Sequence, residues 1–134
     1  MALAAAIGAL LGLGVYLFGR WVAFDRDRSF YPTVLIVIAS YYVLFAVLAG
    51  SAQGIAIELA FAAVFATVAL ASLSWGAWLA ALGIFTHGLF DALRGQFGLD
   101  DGAPMWWPAF CGAVDVVLGL LLLARVRRNN GSPS

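Results

Sequence analysis

The strongest constraint on this chain is a series of five apolar stretches, each about as long as a membrane-crossing helix. A helix needs roughly 20 apolar residues to cross about 30 Å of hydrocarbon. The stretches are residues 2–19, 31–49, 54–72, 75–94 and 107–124. The sequence therefore predicts an all-α integral membrane protein, a bundle of five transmembrane helices.

Composition supports this prediction. Of the 134 residues, 64% are hydrophobic and 10% are charged, whereas a soluble domain has about 25% charged residues. The first stretch has no basic segment before it, so we expect a retained helix rather than a cleaved signal peptide. Residues 1–128 are predicted to form one domain, and residues 129–134 a disordered cytoplasmic tail.

The arginines predict an orientation, because positively charged loops stay on the cytoplasmic side. Five spans place the first loop and the C-terminal tail on one side of the membrane. That side has six of the seven arginines. They are Arg20, Arg26, Arg28, Arg125, Arg127 and Arg128. We therefore expect an external N-terminus, a cytoplasmic C-terminus and a multi-pass protein of the cell inner (cytoplasmic) membrane. No clustered basic patch suggests a nucleic-acid partner.

Four ionisable residues interrupt the apolar stretches. His87, the only histidine, and Asp91 are one helical turn apart, so they share a helix face. Glu58 and Asp115 lie in the third and fifth stretches. Charged groups at membrane depth are costly and rarely face lipid, so they are candidate functional groups. We take His87, Asp115, Glu58 and Asp91 as candidate catalytic residues.

Depth along the predicted spans places these groups in the outer half of the bundle. At 1.5 Å per residue, His87 lies about 10 Å and Asp115 about 12 Å below the outer ends of their spans. Glu58 and Asp91 lie at about 5 Å. This convergence predicts a polar pocket, with His87 and Asp115 as its deepest pair. Its other candidate ligand-binding residues are Tyr41, Tyr42, Trp107, Cys111 and Arg94.

Each group also has a structural interpretation. Asp91 and Arg94 could form an i,i+3 ion pair. His87 could be a hydrogen-bond partner of Asp91 or Thr86 that links helices. Glu58 could be an interfacial acid near a helix N-terminus, and Cys111 a small buried apolar residue.

Three strings resemble a family of small bacterial integral membrane proteins of unknown function. They are FDRDRSFYPTVLIVIASYYVLFAV, HGLFDAL and PMWWPAFCGAVDV, and the resemblance covers most of the chain. The resemblance implies a shared helical bundle and no known chemistry. His87, Asp91, Trp107, Pro108 and Asp115 lie inside these motifs.

Three functions stay open from the sequence. The first is acid–base chemistry on, or binding of, a hydrophobic small molecule or lipid, with His87 as the proton-exchanging group. The second is a metal or proton site serving transport, since one histidine with up to three carboxylates could bind a hard or borderline divalent cation; the sequence assigns neither a specific metal ligand nor a cofactor. The third is an accessory subunit of a larger membrane complex. The expected partners are membrane lipids, a hydrophobic ligand, and copies of the chain or other subunits. Gly8 and Gly12 allow close helix packing, either within the bundle or between protomers.

Overall fold

The computed structural model describes residues 1–98 and 102–131, and every regular element in that part of the chain is helical. Its five α-helices are α1 (Ala2–Trp21), α2 (Phe30–Leu48), α3 (Ala52–Trp75), α4 (Ala77–Leu93) and α5 (Trp107–Gly131). Two short 3₁₀ helices, Phe24–Arg26 and Arg94–Phe97, follow α1 and α4. The predicted all-α class is confirmed.

Four of these helices, α1, α2, α3 and α5, are long and apolar enough to cross a membrane. They indicate a multi-pass membrane protein. Helix α4 has 17 residues, which corresponds to a length of about 25 Å. The fifth crossing and the external N-terminus therefore stay predictions.

Helices α3 and α4 are joined at a single glycine. The sequence predicts a link over Ser72–Ser74, but α3 continues to Trp75 and the break is at Gly76. The Ser72 hydroxyl donates to the Ala69 carbonyl inside the helix, which allows a serine to remain helical. Gly76 has a φ of 119°, which side chains disfavour and glycine tolerates.

The C-terminal end of α5 is longer than predicted. The helix runs to Gly131, so Asn129 and Asn130 are helical where the sequence predicts the start of a disordered tail. Arg128 donates to the carbonyl of Ala124 one turn earlier, a bond that supports the last turns of the helix. Residues 132–134 lie outside the described part of the chain.

Helix α5 lies between α1 and α4, while α2 packs against α3 and α4. The buried apolar side chains at the centre of the bundle come from several of these helices. They include Tyr16, Leu35, Ala69, Ile84 and Leu118. Asp25, in the first loop, forms an ion pair with Arg125 of α5. The first loop and the end of α5 therefore lie at the same end of the bundle, as the predicted arrangement of five antiparallel helices requires.

The small-residue motif of α1 packs within the bundle. A Cβ on Gly12 would lie 2.6 Å from the carbonyl oxygen of Val114, and a Cβ on Gly8 would overlap the carbonyl oxygen of Phe110. Glycine at both positions lets the α1 and α5 backbones touch. Of the two roles left open by the sequence, the structure therefore gives this motif the intrachain one.

We expect Gly12→Leu to lower the free energy of unfolding in detergent by about 1–3 kcal/mol, because the new side chain must push α1 away from α5. Gly14→Leu is the matched control, since a Cβ on Gly14 meets no atom within 4 Å. Unfolding in a denaturing detergent, monitored by circular dichroism, measures the free energy of unfolding of both variants. Equal effects of the two substitutions would contradict the α1–α5 packing.

Candidate functional site

The site is built where α4 crosses α5, at a pair of glycines. A Cβ on Gly88 would lie 2.8 Å from the backbone nitrogen of Val116 and 2.9 Å from the Cβ of Asp115. A Cβ on Gly112 would lie 3.2 Å from the carbonyl oxygen of Gly88. Without side chains at these positions the two backbones come into contact. The neighbouring polar side chains of the two helices consequently meet.

At this crossing, His87 and Asp91 of α4 meet Asp115 of α5. The His87 Nδ1 atom lies 2.7 Å from Asp115 Oδ2 and 3.7 Å from Asp91 Oδ2. The three residues are 2%, 1% and 0% exposed. The structure thus brings together the pair that the sequence places deepest, and adds Asp91 to it. We call these three residues the triad.

Two neighbours complete the surroundings of the triad. The Cys111 sulfur lies 3.9 Å from Asp115 Oδ2, so this predicted pocket residue contacts the triad. The Phe65 ring of α3 packs edge-on against the imidazole, with the ring centroids 4.7 Å apart. Thr86, an alternative partner for His87, instead donates to the backbone of its own helix.

The triad has more acceptor atoms than donors. Oδ1 of Asp115 has no hydrogen-bond partner among the described residues. The Asp91 carboxylate makes no close hydrogen bond to them, and the Tyr42 hydroxyl and the Cys111 thiol are neighbouring donors. Two ionised carboxylates would face one imidazole, which leaves a net negative charge even when the imidazole is protonated. A buried, unpaired carboxylate is strongly disfavoured. The triad therefore requires one more positive charge, which a proton or a bound cation can supply.

A second charged group lies between α3 and the end of α4. Arg94 Nη1 donates to Glu58 Oε2 at 3.2 Å, and Nη2 donates to Glu58 Oε1. Arg94 is 2% exposed and Glu58 is 3% exposed. The guanidinium carbon lies 3.6 Å from the centroid of the Tyr42 ring. Paired with Arg94 in this way, Glu58 belongs to a buried ion pair and not to the triad.

This ion pair answers a question that the sequence left open. The spacing allows an Asp91–Arg94 pair, but the described polar contacts of Asp91 are with His87, Tyr42 and Cys111 instead. Arg94 begins a 3₁₀ turn where α4 ends, and both its terminal nitrogens bond to Glu58. A bidentate pair of this kind is stronger than a single contact between neighbours on one helix.

The predicted aromatic pocket residues divide between two places. Tyr42 is buried beneath the Arg94 guanidinium, and its hydroxyl is a neighbour of the Asp91 carboxylate. The Tyr41 ring packs on Trp107, with centroids 5.2 Å apart, and Phe45 also packs on Trp107. Tyr41 and Trp107 therefore belong to an aromatic cluster at the start of α5.

An open groove of about 610 Å³ adjoins the α4–α5 crossing. Its lining is mainly apolar and includes Met1, Ala5, Met105, Pro108, Ala113 and Val116. Gly88, Gly112 and Asp91 also line it. The sequence pattern does not identify this groove, although a glycine immediately after His87 and another after Cys111 are its visible signals.

The triad also has the composition of a metal site. His87, Asp91 and Asp115 each offer one ligand atom, and these atoms lie within 4.8 Å of one another. One imidazole and two carboxylates suit a hard or borderline divalent cation. The carboxylate oxygens without partners fit such an ion, so these residues could hold one.

The chain matches no protein-family model, no curated protein and no solved structure. The resemblance of its three motifs to a membrane-protein family stays a prediction.

We expect Arg94→Met to lower the free energy of unfolding by about 3–5 kcal/mol, because it leaves the Glu58 carboxylate buried without its partner. The double substitution Glu58→Leu with Arg94→Met should recover most of this loss, since replacing a buried pair by apolar side chains is often neutral. Unfolding in detergent measures both variants.

Arg127→Met is the matched control for Arg94→Met, because Arg127 is exposed. We expect it to change the free energy of unfolding by less than about 0.5 kcal/mol. A loss in Arg94→Met no larger than that in Arg127→Met would contradict the role given to the Glu58–Arg94 pair.

Proposed function

We propose that this protein is a membrane-embedded acid–base centre that binds a hydrophobic molecule from the bilayer and exchanges a proton with it. The observation that supports this most directly is the triad itself. An imidazole and two carboxylates lie in contact and are buried, and Oδ1 of Asp115 has no partner among the described residues.

The charge of the triad indicates that its three residues share a proton. The triad needs one additional positive charge, and a proton shared among His87, Asp91 and Asp115 supplies it without any cofactor. Asp115, bonded to Nδ1, fixes the orientation and tautomer of the imidazole. Asp91, which makes no close hydrogen bond to the described residues, is then the natural group to give or take a proton.

The groove beside α1 is the route from the bilayer toward the triad. The Glu58–Arg94 pair lies on the α3 side and satisfies its own charges, whereas the groove beside α1 adjoins Asp91, whose side chain lies buried behind it. That groove is mainly apolar, so it favours a molecule that partitions into the bilayer. Sites for small molecules are typically such apolar cavities with a few polar groups that orient the ligand.

To test this, the protein is extracted in mild detergent and its organic extract is analysed by mass spectrometry. We expect the wild type to retain a hydrophobic molecule. His87→Gln and Asp115→Asn should each lower its amount about tenfold, a loss of roughly 1.4 kcal/mol of binding. Thr86→Ala is the matched control, because its hydroxyl bonds only within α4, and it should retain the molecule.

Circular dichroism and gel filtration establish that the variants remain folded. Equal retention in wild type, His87→Gln and Asp115→Asn would contradict the acid–base centre, as would a wild type that retains nothing. A stable complex with other subunits in native mass measurement, with no small molecule, would instead favour the accessory-subunit function.

A divalent-cation centre is the second candidate, favoured by the three ligand atoms within 4.8 Å. It predicts about one equivalent of metal per chain in the purified wild type and its loss in His87→Ala and Asp91→Asn. Elemental analysis measures this directly. A metal-free wild type that still retains the hydrophobic molecule would exclude this candidate.

A further inference from the structure

We infer that a small polar pocket between the first loop and the junction of α3 with α4 binds the phosphate group of a membrane lipid. We call it the loop pocket. It is separate from the triad, because the α4 residue of its lining nearest to His87 is Ala80, seven residues earlier in the sequence, which is a rise of about 10 Å.

The loop pocket forms where α3 ends and where α2 and α4 begin. Residues 25–28 of the first loop form one side, and residues 72–77 form the other. Pro32, Ala80 and Leu122 complete its lining with buried apolar side chains. Its volume is about 270 Å³, just below the roughly 300–1,000 Å³ of sites that enclose a whole small molecule. This volume suits a headgroup and leaves the acyl chains outside.

The two acidic side chains of the loop pocket already have partners. Asp25 forms an ion pair with Arg125, and the Asp25 side chain is 4% exposed. Asp27 Oδ1 accepts hydrogen bonds from the backbone N–H of Ser29 at 2.8 Å and from its hydroxyl at 2.7 Å. Both carboxylates are therefore engaged within the loop and α5.

Two arginines of the loop pocket have no carboxylate partner. Arg26 and Arg28 line the pocket and are exposed, so a ligand can reach them. Neither belongs to an ion pair of the described residues. Arg28 donates to the carbonyl of Leu73, which uses one of the five N–H donors of a guanidinium. The remaining donors match a phosphate, which arginine often binds through two parallel hydrogen bonds.

The backbone at the α3–α4 junction adds further donors. The carbonyls of Ser72, Leu73 and Trp75, in the last turn of α3, each accept a hydrogen bond. Helix α4 begins at Ala77, beside the pocket, without a side-chain cap, and the first N–H groups of a helix have no acceptor inside it. These groups support the two arginines in favouring an anion.

Tryptophans around the loop pocket place it at the level of lipid headgroups. Trp21, Trp75 and Trp78 are 83%, 71% and 44% exposed, and tryptophan is enriched where a membrane meets water. Helices α2, α3 and α5, which border the pocket, are long and apolar enough to cross a membrane. A phosphate held at their ends is therefore that of a lipid whose acyl chains lie along the apolar helices.

The experiment compares two lipids with the same acyl chains, dioleoyl phosphatidylglycerol and dioleoylglycerol, of which only the first has a phosphate. The full chain is purified in detergent and titrated with each lipid, and native mass spectrometry measures the bound fraction. We expect phosphatidylglycerol to bind at one site at least about tenfold more tightly than dioleoylglycerol. Equal binding of the two lipids would overturn the inference.

The double substitution Arg26→Gln with Arg28→Gln should lower phosphatidylglycerol binding about tenfold. Its matched control is Arg127→Gln with Arg128→Gln, which removes the same charge from the same end of the bundle at residues that do not line the pocket. We expect this control to change binding by less than about twofold. Equal losses in the two double variants would show attraction to the basic surface as a whole and would overturn the site.

Ala77→Trp tests the location without removing charge. Ala77 and Ala124 are both exposed alanines near this end of the bundle, and only Ala77 lines the loop pocket. We expect Ala77→Trp to fill the pocket and lower phosphatidylglycerol binding about tenfold, and Ala124→Trp to leave it unchanged. Circular dichroism establishes that both variants are folded. Unchanged binding in Ala77→Trp would place the lipid elsewhere and overturn the inference.

Glycerol 3-phosphate tests the source of the phosphate, because it has the phosphate group and no acyl chains. We expect it to displace phosphatidylglycerol only at more than about a hundredfold excess. Displacement at equal concentration would overturn the assignment to a lipid. His87→Gln should bind phosphatidylglycerol as the wild type does, since the triad lies outside the loop pocket. A loss in His87→Gln equal to that in Ala77→Trp would contradict the separation of the two sites.

Discussion

The close crossing of α4 and α5 is the contact on which the rest of the structure depends. Backbone touches backbone at Gly88 and Gly112, and only at such a short separation can His87 on one helix bond to Asp115 on the other. Interfaces between membrane helices are enriched in small residues, because these let the two backbones approach closely. The two glycines at this crossing therefore permit the buried polar contact beside it.

The two buried charged groups differ in how completely they are paired. Glu58 and Arg94 neutralise each other through two hydrogen bonds and the guanidinium lies against Tyr42, which is how a membrane protein stabilises a charge that links helices. Asp91 and Asp115 have three oxygens with no close hydrogen bond among the described residues. One buried charged group is therefore paired within itself, and the other is not.

The sequence predicts much of the fold because helix length and apolarity follow directly from the thickness of the bilayer. It also predicts that His87 and Asp115 are associated, because the rise per residue along each span places both at a similar depth. It does not predict the Glu58–Arg94 pair, because periodicity shows which face a residue occupies and not which helix packs against that face. For the same reason, Tyr41 and Tyr42 have similar predicted depths yet lie in different clusters.

The contact between α1 and α5 has a consequence for how the chain is made. Gly8 and Gly12, near the N-terminus, pack against Phe110 and Val114, which a ribosome adds about a hundred residues later at roughly 5–20 residues per second. Helix α1 therefore has no α5 to pack against for several seconds after its own synthesis. The groove, which both helices border, can form only once synthesis of the chain is almost complete.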